Sequence, residues 1–118
     1  MLAKDVLGKR GEQMAADYLA ANGLAILERN WRCAQGEIDI VAADGRTLVI
    51  CEVKTRSGTR FGTPLESVTA QKARRLRRLA VLWLRDRSAF FDAVRIDIVG
   101  VLVPASGEAS IEHVSGVG

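Results

Sequence analysis

Apolar positions recur every three or four residues between Lys4 and Asn22, where Leu7, Gly11, Met14, Ala15, Tyr18 and Leu19 form one stripe. That spacing predicts an amphipathic helix, with Gly23 as its stop. Leu24–Arg32 reads as a first strand without a clean face, since Ala25, Leu27 and Arg29 alternate with Leu24, Ile26 and Glu28. Gly36–Ala43 and Arg46–Thr55 then read as a β-hairpin around Asp44-Gly45, a pair suited to a type I′ turn. Thr63-Pro64-Leu65-Glu66 carries the signature of a helix start, and Thr69 offers a second one. From there Ala73, Leu76, Leu79, Ala80 and Trp83 mark a buried stripe that runs the helix to about Asp86. Ala93–Val103 is a strand with Val94, Ile96, Ile98 and Gly100 on one face and Arg95, Asp97, Val99 and Val101 on the other. Ser110–Val114 is a short edge strand, and Ser115–Gly118 reads as a loose tail.

The order α-β-β-β-α-β-β predicts an α/β domain: a central mixed sheet of about five strands, its centre formed by the hairpin, with a helix on each face. A length of 118 residues and 48 % hydrophobic content fit one domain with a real core, residues 1–118. No apolar run reaches the length of a membrane span, and the N-terminus has no apolar signal core, so a cytoplasmic protein is expected. Cys33 and Cys51 have no metal-ligand spacing, and Cys51 is expected in the core. His113, the single histidine, reads as a surface residue on the late strand, which argues against His-dependent or zinc chemistry.

The hairpin carries the chemistry. With Asp44-Gly45 as the turn, Ala43 faces Arg46, Ile38 faces Cys51 and Ile40 faces Val49, an apolar face. On the other face Asp39 lies opposite Ile50, Glu37 lies opposite Glu52, and Lys54 follows. Three carboxylates and a lysine are thus expected at one end of one face, which also carries Val41, Leu48 and Ile50 and so is not fully solvated. Converging acceptor-only side chains are costly unless partnered, and they suit a hard divalent cation.

Asp39 followed by Glu52-Val53-Lys54 has the spacing of the PD-(D/E)XK nuclease motif. The longer run GEIDIVAADGRTLVICEVKTR, with Asn30-Trp31-Arg32 before it and Phe61-Gly62-Thr63-Pro64 after it, resembles the bacterial YraN family of predicted endonucleases, itself distantly similar to archaeal Holliday junction resolvases. The resemblance covers nearly the whole chain. It implies a restriction-endonuclease-like fold, a single PD-(D/E)XK nuclease-like domain, and Mg²⁺- or Mn²⁺-dependent hydrolysis of DNA phosphodiesters, with branched or junction DNA in repair or recombination as a candidate substrate. It assigns Asp39, Glu52 and Glu12 to the metal, with Lys54 as the fourth catalytic residue. Glu12 sits at the border of the first helix's apolar stripe. Glu37 and Gln71 are carried as outer members of the site.

Net charge is +3, but the distribution matters more. Lys72, Arg74, Arg75 and Arg78 crowd the second helix, and Arg56 and Arg60 flank the loop after Lys54. Basic residues around an acidic pocket suit a polyanion held about a metal, so DNA is the expected partner, recognised by structure rather than sequence. Junction resolution would require two active sites and hence a homodimer. A nucleic-acid-binding module without catalysis, and a domain whose basic helix meets an acidic protein, are the alternatives.

Overall fold

The computed structural model describes residues 3–58 and 68–117, with side chains from residue 5 onward. The expected start at Thr63–Glu66, the Phe61–Pro64 segment and Arg60 lie outside the described residues. Helix α1 spans Ala3–Ala21. Strands β1 (Ala25–Cys33), β2 (Gly36–Asp44) and β3 (Thr47–Arg56) follow, then helix α2 (Ala70–Arg85) and strands β4 (Ala93–Leu102) and β5 (Ser110–Val114). The element order is the one the apolar pattern predicts.

The five strands form one mixed sheet in the order β1-β2-β3-β4-β5. Only β3 and β4 run parallel; the other neighbours are antiparallel. A parallel pair needs a crossover, and α2 lies on it. The β3 strand is therefore central.

Each face of the sheet buries its own core. Ala15, Ala16 and Leu19 of α1 pack on Ile40, Val49, Cys51, Val99 and Val101. Leu76, Leu79, Ala80 and Trp83 of α2 pack on Val41, Leu48, Ile50, Ile96 and Ile98. The second helix starts at Thr69, whose hydroxyl accepts the Lys72 N–H at 3.1 Å. Its buried residues are the five of the expected stripe. On α1, Gly11 is required by contact: a Cβ there would stand 1.8 Å from Thr55 Oγ1 of β3.

The structure corrects the expected hairpin turn. The hairpin loop is Gly45-Arg46, flanked by the pair Asp44↔Thr47, so Ile40 faces Cys51 and Val41 faces Ile50. Gly45 alone of the two takes a positive φ, 59°, which is the type II′ arrangement with glycine first. The register thus moves by two positions, which leaves Ile40, Val49 and Cys51 on one face and Val41, Leu48 and Ile50 on the other. The first strand lacks a clean face because its pairing with β2 shifts between Ile26 and Glu28.

The C-terminal tail is pinned rather than loose. The Val117 N–H donates to the Ile96 carbonyl at 2.8 Å, and the Val117 side chain is buried. His113 is likewise not a surface residue. Its Nε2 lies 2.8 Å from Asp97 Oδ2, and its ring meets Tyr18 edge-on. Asp97 is fully buried and also accepts from Arg95 and from the Gly116 N–H. Burial alone would raise its pKa; the hydrogen bonds from Arg95, His113 and Gly116 outweigh it and hold the carboxyl below its ordinary value. Asp97 is structural: through His113 and the Gly116 N–H it fastens the β5 edge.

Candidate functional site

The site begins where β2 leaves β3. Residues two apart in an unbroken strand share a face. Ile38, however, packs in the core under α2 while Ile40 packs in the core under α1. The alternation therefore breaks at Asp39. On β1, Asn30 lies between Arg29 and Trp31, which pair with Ile40 and Ile38, and it adopts a positive φ of 54°. Asparagine tolerates that conformation better than most residues. The β2–β3 ladder runs from Asp44↔Thr47 to Ile40↔Cys51. Beyond it, Asp39 Oδ2 accepts the Val53 N–H at 2.8 Å. A carboxylate thus serves the strand where a carbonyl no longer does.

This geometry corrects the expected face assignment. Glu37 does not lie opposite Glu52; it pairs instead with Arg32 on β1, at 2.7 Å. Asp39 sits at the split between the strands, within electrostatic reach of Glu12 on α1. Its pKa is raised to about 6, first by burial and then by the charges of Glu52, Glu12 and Glu37, against the lowering effect of the Val53 N–H. Asp39, Glu52, Glu12 and Glu37 therefore form one electrostatic neighbourhood. Glu12 and Glu37 also line a cleft of about 890 Å³ beside α1, shared with Lys9, Arg29 and Arg32.

Glu52 is held on the α2 side. Lys72 Nζ stands 2.7 Å from Glu52 Oε2, and both side chains are largely out of water, 21 % and 14 % exposed. The contact is an ion pair by distance, and among the described residues no donor is aligned on the buried Oε2 as a hydrogen bond. Lys54 completes the group. Its pKa is lowered, first by burial and next by its hydrogen bond with Lys72, while Glu52 pulls the other way. The thiol of Cys51, immediately before Glu52, is pushed up by burial and is inert.

Lys72 was expected on the DNA-facing surface, and its place against Glu52 could not be read from helix periodicity alone. Arg74, Arg75 and Arg78 are exposed on α2, as is Gln71. Arg75 and Arg78 line a shallow depression of about 410 Å³ together with Thr69, Gln71 and Lys72. Gln71 thus stands at the rim of the site. Arg56, half-buried at the end of β3, accepts the Val103 N–H at its carbonyl.

Whether a divalent cation suits this group is a question of donors. Among the described residues no three His, Cys, Asp or Glu side chains are grouped closely enough to hold an ion; Glu12 acts on Asp39 through its charge. Asp39 and Glu52 remain: two carboxylates, one bearing a buried oxygen without a hydrogen bond. That set fits Mg²⁺ or Mn²⁺, which bind through one or two carboxylates and take their other ligands from water and phosphate.

Comparison with known proteins points to one family. The family described as "Uncharacterised protein family UPF0102" matches residues 11–101. A "UPF0102 protein" of Beutenbergia cavernae is 54 % identical over 118 residues, covering 100 % of both chains. One of an Arthrobacter species is 52 % identical over 118 residues, again covering 100 % of both. One of a Nocardioides species is 52 % identical over 115 residues, covering 98 % of this chain and 93 % of its own. These matches bear out the family resemblance read from the GEID and EVKTR segments. Among the described residues no helix is long and apolar enough to cross a membrane.

Proposed function

The chain belongs to the UPF0102 family, and from that premise we propose that it is a metal-dependent endonuclease hydrolysing DNA phosphodiester bonds, selective for DNA structure rather than sequence. One observation carries the reading. Asp39 is set into the gap between β2 and β3 by its hydrogen bond from Val53 N–H, beside a Glu52 whose buried Oε2 meets, among the described residues, an ion-pair partner but no aligned hydrogen-bond donor. Two carboxylates brought together at a cost to each other have a use when a cation sits between them.

Asp39 and Glu52 would hold Mg²⁺ or Mn²⁺, with Glu12 adding negative potential. The ion would supply polarisation of the phosphoryl oxygen and a lowered pKa for the attacking water. Lys54, desolvated beside Glu52, donates to the attacking water or to the charge that develops on the phosphoryl oxygens. Arg75 and Arg78 meet neighbouring phosphates and fix the strand without reading bases. Junction DNA would call for two such sites, and so for a homodimer.

A panel of branched and linear DNAs tests this, with Mg²⁺, Mn²⁺ or chelator, run with the wild type, Asp39→Asn and Lys54→Ala. Cleavage that needs the metal, Asp39 and Lys54 is expected. A binding module without catalysis has one observation in its favour: Lys72 already neutralises Glu52. On that reading DNA is bound with a steep salt dependence and no member of the panel is cut.

A further inference from the structure

Lys72 breaks two local rules. It follows the cap residue Thr69 by three positions, where the capping box places Glu or Gln to reach back to the cap N–H. It also puts a positive charge in the first turn of α2, against the helix dipole, in a turn with no acidic residue. Its ammonium is then packed beside a second one, that of Lys54. Residues that violate local preference are concentrated at functional sites.

The contact it makes is also not that of a well-built structural bridge. Partly buried ion pairs stabilise when good hydrogen-bond geometry offsets the lost hydration. Here the distance is 2.7 Å, yet among the described residues no donor is aligned on Glu52 Oε2 as a hydrogen bond. Lysine, a point charge on a flexible stem, suits a contact that must be given up. The rim of the same depression, with Arg75 and Arg78, gives the released ammonium a destination on the face open to a polyanion.

We propose that Lys72 is a displaceable counter-ion for Glu52, holding the cation position until a divalent ion takes it, after which its ammonium joins Arg75 and Arg78 in binding phosphate. This rests on the metal-dependent reading above. Metal and polyanion then favour each other's binding: each draws on the same movement of Lys72, and such coupling is reciprocal. A positioning role follows for Lys72, distinct from the direct role of Lys54.

The test is titration of Mn²⁺ into the full chain without nucleic acid, followed by calorimetry. Lys72→Gln removes the charge while restoring the residue type that the capping box favours, so α2 is not weakened at its start. Lys72→Met repeats the measurement with an apolar stem. Both variants are expected to bind Mn²⁺ about tenfold more tightly than the wild type, since the ion no longer competes with a resident ammonium. Their melting temperature without metal is expected to fall and to recover in saturating Mn²⁺. Unchanged or weaker Mn²⁺ affinity in both variants overturns the proposal. Wild-type binding that Asp39→Asn abolishes, with no gain from either Lys72 change, overturns it while sparing the metal site. Absence of Mn²⁺ binding in every protein overturns both.

Discussion

Asp39 Oδ2 accepts the Val53 N–H at 2.8 Å, at the point where β2 has ceased to pair with β3. A side-chain oxygen replaces a ladder carbonyl there and leaves the second carboxylate oxygen to the site. The chain thereby ties the position of Asp39 to the central strand that carries Glu52 and Lys54. Removing the acceptor altogether would orphan a half-buried N–H, at a cost of about 1–3 kcal/mol.

Asp39→Asn keeps an acceptor and removes the charge, and its effect is expected to depend on pH. The carboxyl titrates near 3.8 when unfolded and at about 6 in the folded chain. Between these values the folded state holds the extra proton, so this group's stabilisation is present below about pH 4 and lost as pH rises through 6. At pH 7.5 the variant should exceed the metal-free wild type by about 1–2 kcal/mol, less than the unscreened linkage value because the residue keeps some contact with solvent. Near pH 3.5 the difference should vanish. Chemical denaturation at the two pH values checks this.

Two glycines on α1 should respond in opposite directions. A Cβ at Gly8 meets nothing within 4 Å, whereas one at Gly11 meets three Thr55 side-chain atoms, the closest at 1.8 Å. Gly8→Ala is expected to stabilise by about 0.5–1 kcal/mol through helix propensity. Gly11→Ala should destabilise by about 3 kcal/mol, or push α1 off β3 and carry Glu12 with it. Thermal melting of the two variants measures the contrast.

The basic residues of α2 should not be equivalent. Arg75 and Arg78 share the depression with Lys72, while Arg74 and Arg77, though exposed, lie outside it. Arg75→Glu with Arg78→Glu should weaken duplex binding at all sequences alike and flatten the salt slope by about 2. The same exchange at Arg74 and Arg77 should cost less than half as much. Fluorescence anisotropy over a salt series separates them.

Much of this architecture was legible before any coordinates. The α2 stripe could be read because an exposed basic face leaves a single apolar line, and the strand cores because their β-branched residues alternate. The face partition from Ile40 to Cys51 survives a turn displaced by one position, since that moves the register by two and an even shift preserves parity. The break at Asp39 was not legible: it depends on β2 leaving β3, and no local pattern in Glu37–Ile40 announces that departure. Periodicity alone makes Lys72 one more surface cation, because it does not say how a helix crosses a sheet. The same limit applied to His113 and Val117, whose partners Asp97 and Ile96 are distant in sequence.

The central claim is that Asp39 and Glu52 hold a divalent cation, and it can be tested before a substrate is known. The measurement is the melting temperature of the wild type at neutral pH across a Mn²⁺ titration, with Asp39→Asn as reference. A ligand bound by the folded state alone stabilises by about 2.7 kcal/mol at a hundredfold excess over its Kd. The wild type should therefore rise by several degrees, and Asp39→Asn, already relieved of its charge, should stay flat. A wild type whose melting is indifferent to millimolar Mn²⁺ and Mg²⁺, with and without DNA, would contradict the account.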